Sequence, residues 1–173
     1  NDGTTSSYDS KTYGHRVGDK EVSIGVTDVY KVHAVYESAA IATTPTLPQI
    51  TLAASGSYTN GETITGSSSG ATGTVIDNTG TALKYVKVTG TFTTSDTISG
   101  GTGGHSNTVS AIAAVGDTNI LSRFLLDTGQ RDSFYDISRL VRKPDQVTPT
   151  GQLTIVYSNF SHGTGDYFSA DSY

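Results

Sequence analysis

Apolar residues recur at every second position along much of the chain, in short runs interrupted by Gly, Asn, Ser and Pro. Residues 29–36 (VYKVHAVY) place Tyr30, Val32, Ala34 and Tyr36 on one face and Val29, Lys31, His33 and Val35 on the other, which is the period of a strand. Residues 82–88 alternate in the same way, with Leu83 and Tyr85 opposite Lys84, Val86 and Val88. Ahead of them, residues 77–80 (DNTG) hold the Asn and Gly that tolerate positive φ, so a hairpin with residues 74–77 is predicted. Residues 121–126 and 152–160 (QLTIVYSNF) also read as extended. The second is apolar on both sides, with Leu153, Ile155 and Tyr157 against Val156 and Phe160, and this predicts a strand central in a sandwich or covered by a partner. At residues 132–140, Phe134, Ile137 and Leu140 also fit a single helical face, so at most one short helix is expected there.

The pattern repeats. Residues 56–75 (GSYTNGETITGSSSGATGTV) align without gaps on residues 90–109 (GTFTTSDTISGGTGGHSNTV) at an offset of 34, with 8 of 20 positions identical. Tyr58 matches Phe92 and Glu62 matches Asp96. With residues 49–52 (QITL) ahead of the first copy, each unit reads as strand, aromatic-bearing turn, strand, Gly-rich loop and strand. Neither copy buries its apolar residues alone, which predicts that the two pair into one pseudo-symmetric β barrel or sandwich.

Composition narrows the class. The 173 residues include 28 Thr, 21 Ser and 20 Gly, and Cys, Met and Trp are absent, which excludes disulfides, Cys-ligated metals and thiol nucleophiles. The chain opens at Asn1 with no Met anywhere, and this predicts an excerpt of a longer polypeptide. A net charge of -5 disfavours a nucleic-acid partner, which calls for a basic surplus along phosphates, and the short apolar runs predict no membrane insertion. Charge is uneven: residues 43–111 hold 2 basic and 3 acidic side chains, whereas residues 112–145 hold 5 and 5. The expected organisation is therefore an all-β chain. An irregular segment (1–14) precedes an outer β-sandwich-like domain built from 15–44 plus 112–173, and 45–111 form an inserted module containing the repeats. Residues 43–48 (TTPTLP) read as a stiff connector into the module and residues 113–117 (AAVGD) as a flexible return.

The chemical motifs point away from catalysis. A GxSxG string occurs at residues 66–70, yet the second copy reads GGTGG at residues 100–104, so the element is a repeated turn rather than a nucleophile elbow. His15, His33, His105 and His162 include no pair at zinc-ligand spacing, and neither metal nor other cofactor is expected. Asp127, Asp132, Asp136 and Asp145 interleave with Arg123, Arg131, Arg139, Arg142 and Lys143; a carboxylate beside Arg stays charged and makes a poor general acid. Such pairs suit loop fixing or subunit contacts, and the candidate interface residues are Arg131, Asp132, Tyr135, Arg139, Tyr167 and Phe168. Tyr58, Tyr85 and Phe92 are candidate glycan contacts; for Tyr58 and Phe92, equivalent in the repeat, this is weighed against a role as paired core plugs.

Residues 125–144 (LLDTGQRDSFYDISRLVRKP), 149–160 (PTGQLTIVYSNF) and 161–173 (SHGTGDYFSADSY), with residues 26–38 (VTDVYKVHAVYES), cover about half of the chain. This half resembles a domain of uncharacterised function in very large virion structural proteins of contractile-tailed phages, notably those infecting cyanobacteria. The GQRDxxYD core at residues 129–136 carries most of the resemblance. It implies a tail, baseplate or fibre-associated building block of the virion and supplies no catalytic residue, and with no catalytic constellation in the sequence a non-enzymatic role is expected. The implied partners are other virion proteins and copies of the same chain. The alternative expectation is a carbohydrate-binding or adhesin module directed at a host-surface glycan.

Overall fold

A computed structural model describes residues 16–132 and 136–160. The alternating segments form strands β1 (Glu21–Ser23), β2 (Val29–Glu37), β3 (Gln49–Leu52), β4 (Thr63–Gly66), β5 (Thr72–Thr79) and β6 (Ala82–Thr89). They continue as β7 (Thr97–Gly100), β8 (Ser106–Ala114), β9 (Thr118–Asn119), β10 (Phe124–Asp127), β11 (Arg139–Arg142) and β12 (Leu153–Asn159). A 3-10 turn at Leu121–Arg123 takes the first half of what reads as one extended run before β10. The helix allowed at 132–140 is not formed at the described positions: residues 136–138 are irregular and β11 starts at Arg139. Leu140 pairs with Val22 and Leu126, and it is buried because its strand is central in a sheet rather than because it lies on a helical face.

The repeats close into a six-stranded antiparallel barrel in the order β3-β6-β5-β4-β7-β8, with β8 returning to β3. The first strand of each copy pairs with the last strand of the other, β3 with β8 and β6 with β5, so neither copy is a barrel half on its own. The lumen is filled by Ile50, Leu52, Tyr58, Ile64, Ala71, Val75, Leu83, Tyr85, Phe92, Ile98 and Val109. Closure removes every sheet edge from this part of the molecule, which suits a Thr- and Gly-rich sequence with few apolar residues to spare. The hairpin expected at DNTG forms between β5 and β6, with the positive φ of 59° at Gly80.

Strands from both sides of the barrel in sequence form two three-stranded sheets, β1-β11-β10 and β12-β2-β9. Val35, Ile120, Phe124 and Leu140 pack between them, joined by Ile24, Val32, Leu121, Leu153 and Ile155. A third cluster, Ala34, Tyr36 and Val86 with Leu47, Ile76 and Val156, joins the outer wall of the barrel to β2 and β12. Strand β12 is thus apolar on both sides because it lies between the sandwich core and the barrel.

One register feature corrects the simple alternation of β2. Val32 pairs with Tyr157 and Ala34 with Val156, so His33 is an extra residue in a β-bulge. The bulge inverts the faces. Val32 joins Val35 in the sandwich core, while Ala34 and Tyr36 face the barrel. The return at residues 115–117 is also not loose: Thr46 N–H donates to Asp117 Oδ2 (2.7 Å) and Asp117 N–H to the Thr46 carbonyl (2.8 Å).

Candidate functional site

The two aligned acids are buried in the barrel and bonded to backbone N–H groups. Asp96 is fully buried; its Oδ2 accepts from Thr93 N–H (2.7 Å) and Ser69 Oγ–H (2.7 Å), and its Oδ1 accepts from Ser68 N–H (2.9 Å) and Ser69 N–H (2.7 Å). Glu62 repeats the arrangement, accepting from Thr59 N–H on Oε1 (2.7 Å) and Thr102 N–H on Oε2 (2.9 Å). Positions 59 and 93, 62 and 96, and 68 and 102 are related by the repeat offset. Each acid therefore fixes the turn of its own copy and clamps the Gly-rich loop of the other. The glycines of the pattern make this approach possible: a Cβ on Gly66 would lie 2.8 Å from the Asp96 carboxyl carbon, and one on Gly100 would lie 3.0 Å from Glu62 Oε2. Burial pushes the Asp96 carboxyl up, but the Thr93, Ser69 and Ser68 N–H groups and the Ser69 hydroxyl outweigh it and hold the pKa at about 2. The GxSxG string is the β4–β5 turn clamped by Asp96, and Ser68 Oγ–H donates to the Ser95 carbonyl.

The glycan contacts expected at Tyr58, Tyr85 and Phe92 are corrected by the packing. These side chains are 5%, 5% and 3% exposed, in the barrel core, and no sugar face reaches their rings. Tyr58 Oη–H donates to the Ile98 carbonyl (2.9 Å), and Tyr85 meets Phe92 edge-on at 5.1 Å. The repeat makes Tyr58 and Phe92 equivalent because each plugs the barrel.

Of the candidate interface residues, Tyr135, Tyr167 and Phe168 lie outside the described residues. Arg131 and Asp132 are exposed, and Arg139 is half-buried. Both oxygens of Asp127 accept from Arg131, at 2.9 and 2.7 Å, and Asp127 Oδ1 also accepts from Gly129 N–H (3.0 Å). The Arg131 guanidinium and the Gly129 N–H together hold the Asp127 carboxyl down at about 2. Arg139 bridges Asp136 and Glu21. Asp136 N–H donates to the Gly129 carbonyl (2.8 Å), closing the loop that carries GQRDxxYD at its base. Gly129 has φ 80°, and a Cβ there would lie 2.2 Å from the Asp136 carbonyl oxygen, so only glycine fits.

Two groupings escape the linear reading. Tyr30 and Phe160, 53% and 48% exposed, meet at 4.6 Å between ring centroids. Asp28 ties this pair to the loop: its carbonyl accepts from Phe160 N–H (3.1 Å), and its Oδ1 accepts from Gln130 Nε2 (3.5 Å). Their common location depends on long-range pairing; the only hint in the sequence is that both are aromatics on otherwise plausible strands. The second grouping is His33, whose Nε2 lies 2.8 Å from Ser158 Oγ in a cleft between barrel and sheet. Burial and the nearby Lys31 charge both lower the His33 pKa from 6.5. Among the described residues, no group of three His, Asp or Glu side chains gathers at metal-binding range, and no helix is long and apolar enough to cross a membrane. No family model, curated protein or solved structure matches the chain.

Proposed function

We propose that this chain is a non-enzymatic building block of a phage virion, in a tail, baseplate or fibre-associated structure, acting through subunit contacts. The supporting observation is that Asp28 links the exposed Tyr30–Phe160 pair, through Phe160 N–H, to Gln130, which is followed by the exposed Arg131 and Asp132. Exposed aromatics beside an arginine held by its own carboxylate suit a protein contact, since aromatic residues and Arg provide anchors at little ordering cost. The resemblance of the same loop to virion structural domains supplies the setting. Light scattering and negative-stain microscopy of the purified chain test the proposal. Assembly that disappears in Tyr30→Ala with Arg131→Ala, at unchanged melting temperature, is the expected result; a monomer at every concentration overturns it.

A second reading, attachment to a host-surface glycan, no longer rests on the three buried rings. A different site favours it.

A further inference from the structure

A half-open cleft of about 290 Å3 lies where the outer wall of the barrel meets strands β2 and β12. Ile76, Val86 and Val156, which also belong to the seam between the two parts, supply its apolar lining. His33, Ser158, Thr74 and Asn60 supply its polar rim. The cleft is built rather than incidental. The β2 bulge frees His33 from regular pairing, and the imidazole is held by Ser158 Oγ at 2.8 Å. On the barrel side, Asn60 sits in the turn clamped by Glu62, where Thr59 N–H donates to Oε1 (2.7 Å) and Gly61 N–H donates to the Val75 carbonyl (2.8 Å). Both walls are therefore fixed before any ligand arrives.

The lining selects a chemical class. It contains no Asp, Glu, Lys or Arg side chain, and the lowered pKa of His33 favours a neutral imidazole at neutral pH. A charged ligand finds no counter-charge among the lining groups, although Lys31 is close enough to perturb His33. A purely apolar ligand would desolvate the Asn60 amide and the Thr74 and Tyr157 hydroxyls and leave the His33–Ser158 pair with only each other, at a cost of about 1–3 kcal/mol for each group left unsatisfied. A ligand with one apolar face and hydroxyls around its edge meets both halves of the lining. The volume is near the lower end of the roughly 300–1,000 Å3 usual for small-molecule pockets, enough for a single ring.

We propose that this cleft binds one neutral hexopyranose unit of a glycan, its apolar face on Ile76, Val86 and Val156 and its hydroxyls on His33, Ser158 and Asn60. The cleft lies on the same β2–β12 pair as Tyr30 and Phe160 but shares no lining residue with them, so its test uses different variants from the assembly reading. The test is an amide NMR titration of the full chain with the methyl glycosides of glucose, galactose, mannose and N-acetylglucosamine, with glucuronate as the charged control. Saturable shifts confined to residues 33, 60–61, 74–76 and 156–158 with at least one neutral glycoside are expected. Asn60→Trp, a bulky residue at an exposed turn position, should abolish them. Ser158→Ala, which removes one hydroxyl from a strand that stays paired, should weaken binding about fivefold, as expected for one lost hydrogen bond of about 1 kcal/mol. Absence of saturable shifts with all four neutral glycosides, saturation by glucuronate alone, shifts outside the cleft, or undiminished affinity in Ser158→Ala each overturns the proposal.

Discussion

At the scale of single residues, Asp96 shows how a carboxylate is kept charged inside a β barrel. Among the described residues no cation pairs with it; backbone N–H groups and the Ser69 hydroxyl take the place of one. Asp96→Asn retains an acceptor for Ser68 and Ser69, but it turns an amide N–H2 toward Thr93 N–H, so a loss of about 2–4 kcal/mol is expected. Glu62→Gln should cost less, about 1–2 kcal/mol, because Glu62 accepts fewer bonds. The pH dependence follows from the sign of the shift. Asp96 titrates at about 2 in the folded chain and near the ordinary ~3.9 when unfolded, so its stabilisation is complete above that range and is lost as pH falls toward 2. Urea unfolding at a series of pH values from 7 to 2.5 should show wild-type stability dropping below about pH 4 and a shallower drop in Asp96→Asn; equal slopes would remove the assignment. Tyr36 gives the opposite case. Its buried hydroxyl has no hydrogen-bond partner among the described residues, and burial foremost, with Tyr85 nearby, pushes its pKa up to about 12. Tyr36→Phe should leave stability unchanged or raise it by up to about 1 kcal/mol, measured by thermal melting, and a marked loss would reveal a bond to that oxygen.

At the scale of elements, whatever is local in the chain is legible in it. The repeat announces the barrel, because strand, turn and loop recur with their acids, aromatics and glycines in the same places. The hairpin between β5 and β6 is written in Asn78 and Gly80. The bulge at His33 is not legible, since an extra residue in β2 is defined only against its partner β12, more than a hundred residues away. Strand β11 is obscured for a related reason: Phe134, Ile137 and Leu140 happen to fall at helical spacing, while the pairing of Leu140 with β1 and β10 comes from distant segments. The loop between β10 and β11 combines both kinds of information. Gly129 is visible in the sequence, but its need for φ 80° and for contact with the Asp136 carbonyl is not. Gly129→Ala is expected to cost at least about 2 kcal/mol and to break the Asp136 N–H bond to the residue 129 carbonyl, read as loss of amide protection at Asp136; an unchanged melting temperature would show that the two residues can still meet.

At the scale of the whole molecule, barrel and sandwich have separate cores and share one thin seam of Ala34, Tyr36 and Val86 with three half-buried neighbours. The seam is hidden in the sequence because Val86 shares its strand face with Lys84 and Val88, opposite the lumen, and because the bulge at His33 turns Ala34 away from Val32, with which the alternation groups it. Cooperativity between the two parts rests on this contact and on the reciprocal bonds between Thr46 and Asp117. Val86→Asp places a carboxylate in the seam without touching the lumen of the barrel, at a cost of several kcal/mol unless it takes up a proton. Wild-type unfolding should therefore be a single transition, while the variant should unfold in two. The sandwich should melt first. Its two small sheets end in open edges among the described residues and enclose a smaller buried cluster, whereas the barrel is closed, is braced by two buried acids and holds the larger core. Hydrogen exchange resolved by segment distinguishes the outcomes: early exchange in β2, β10, β11 and β12 with β3–β8 still protected is expected, and simultaneous loss in both sets would mean that the molecule unfolds as one unit regardless of the seam.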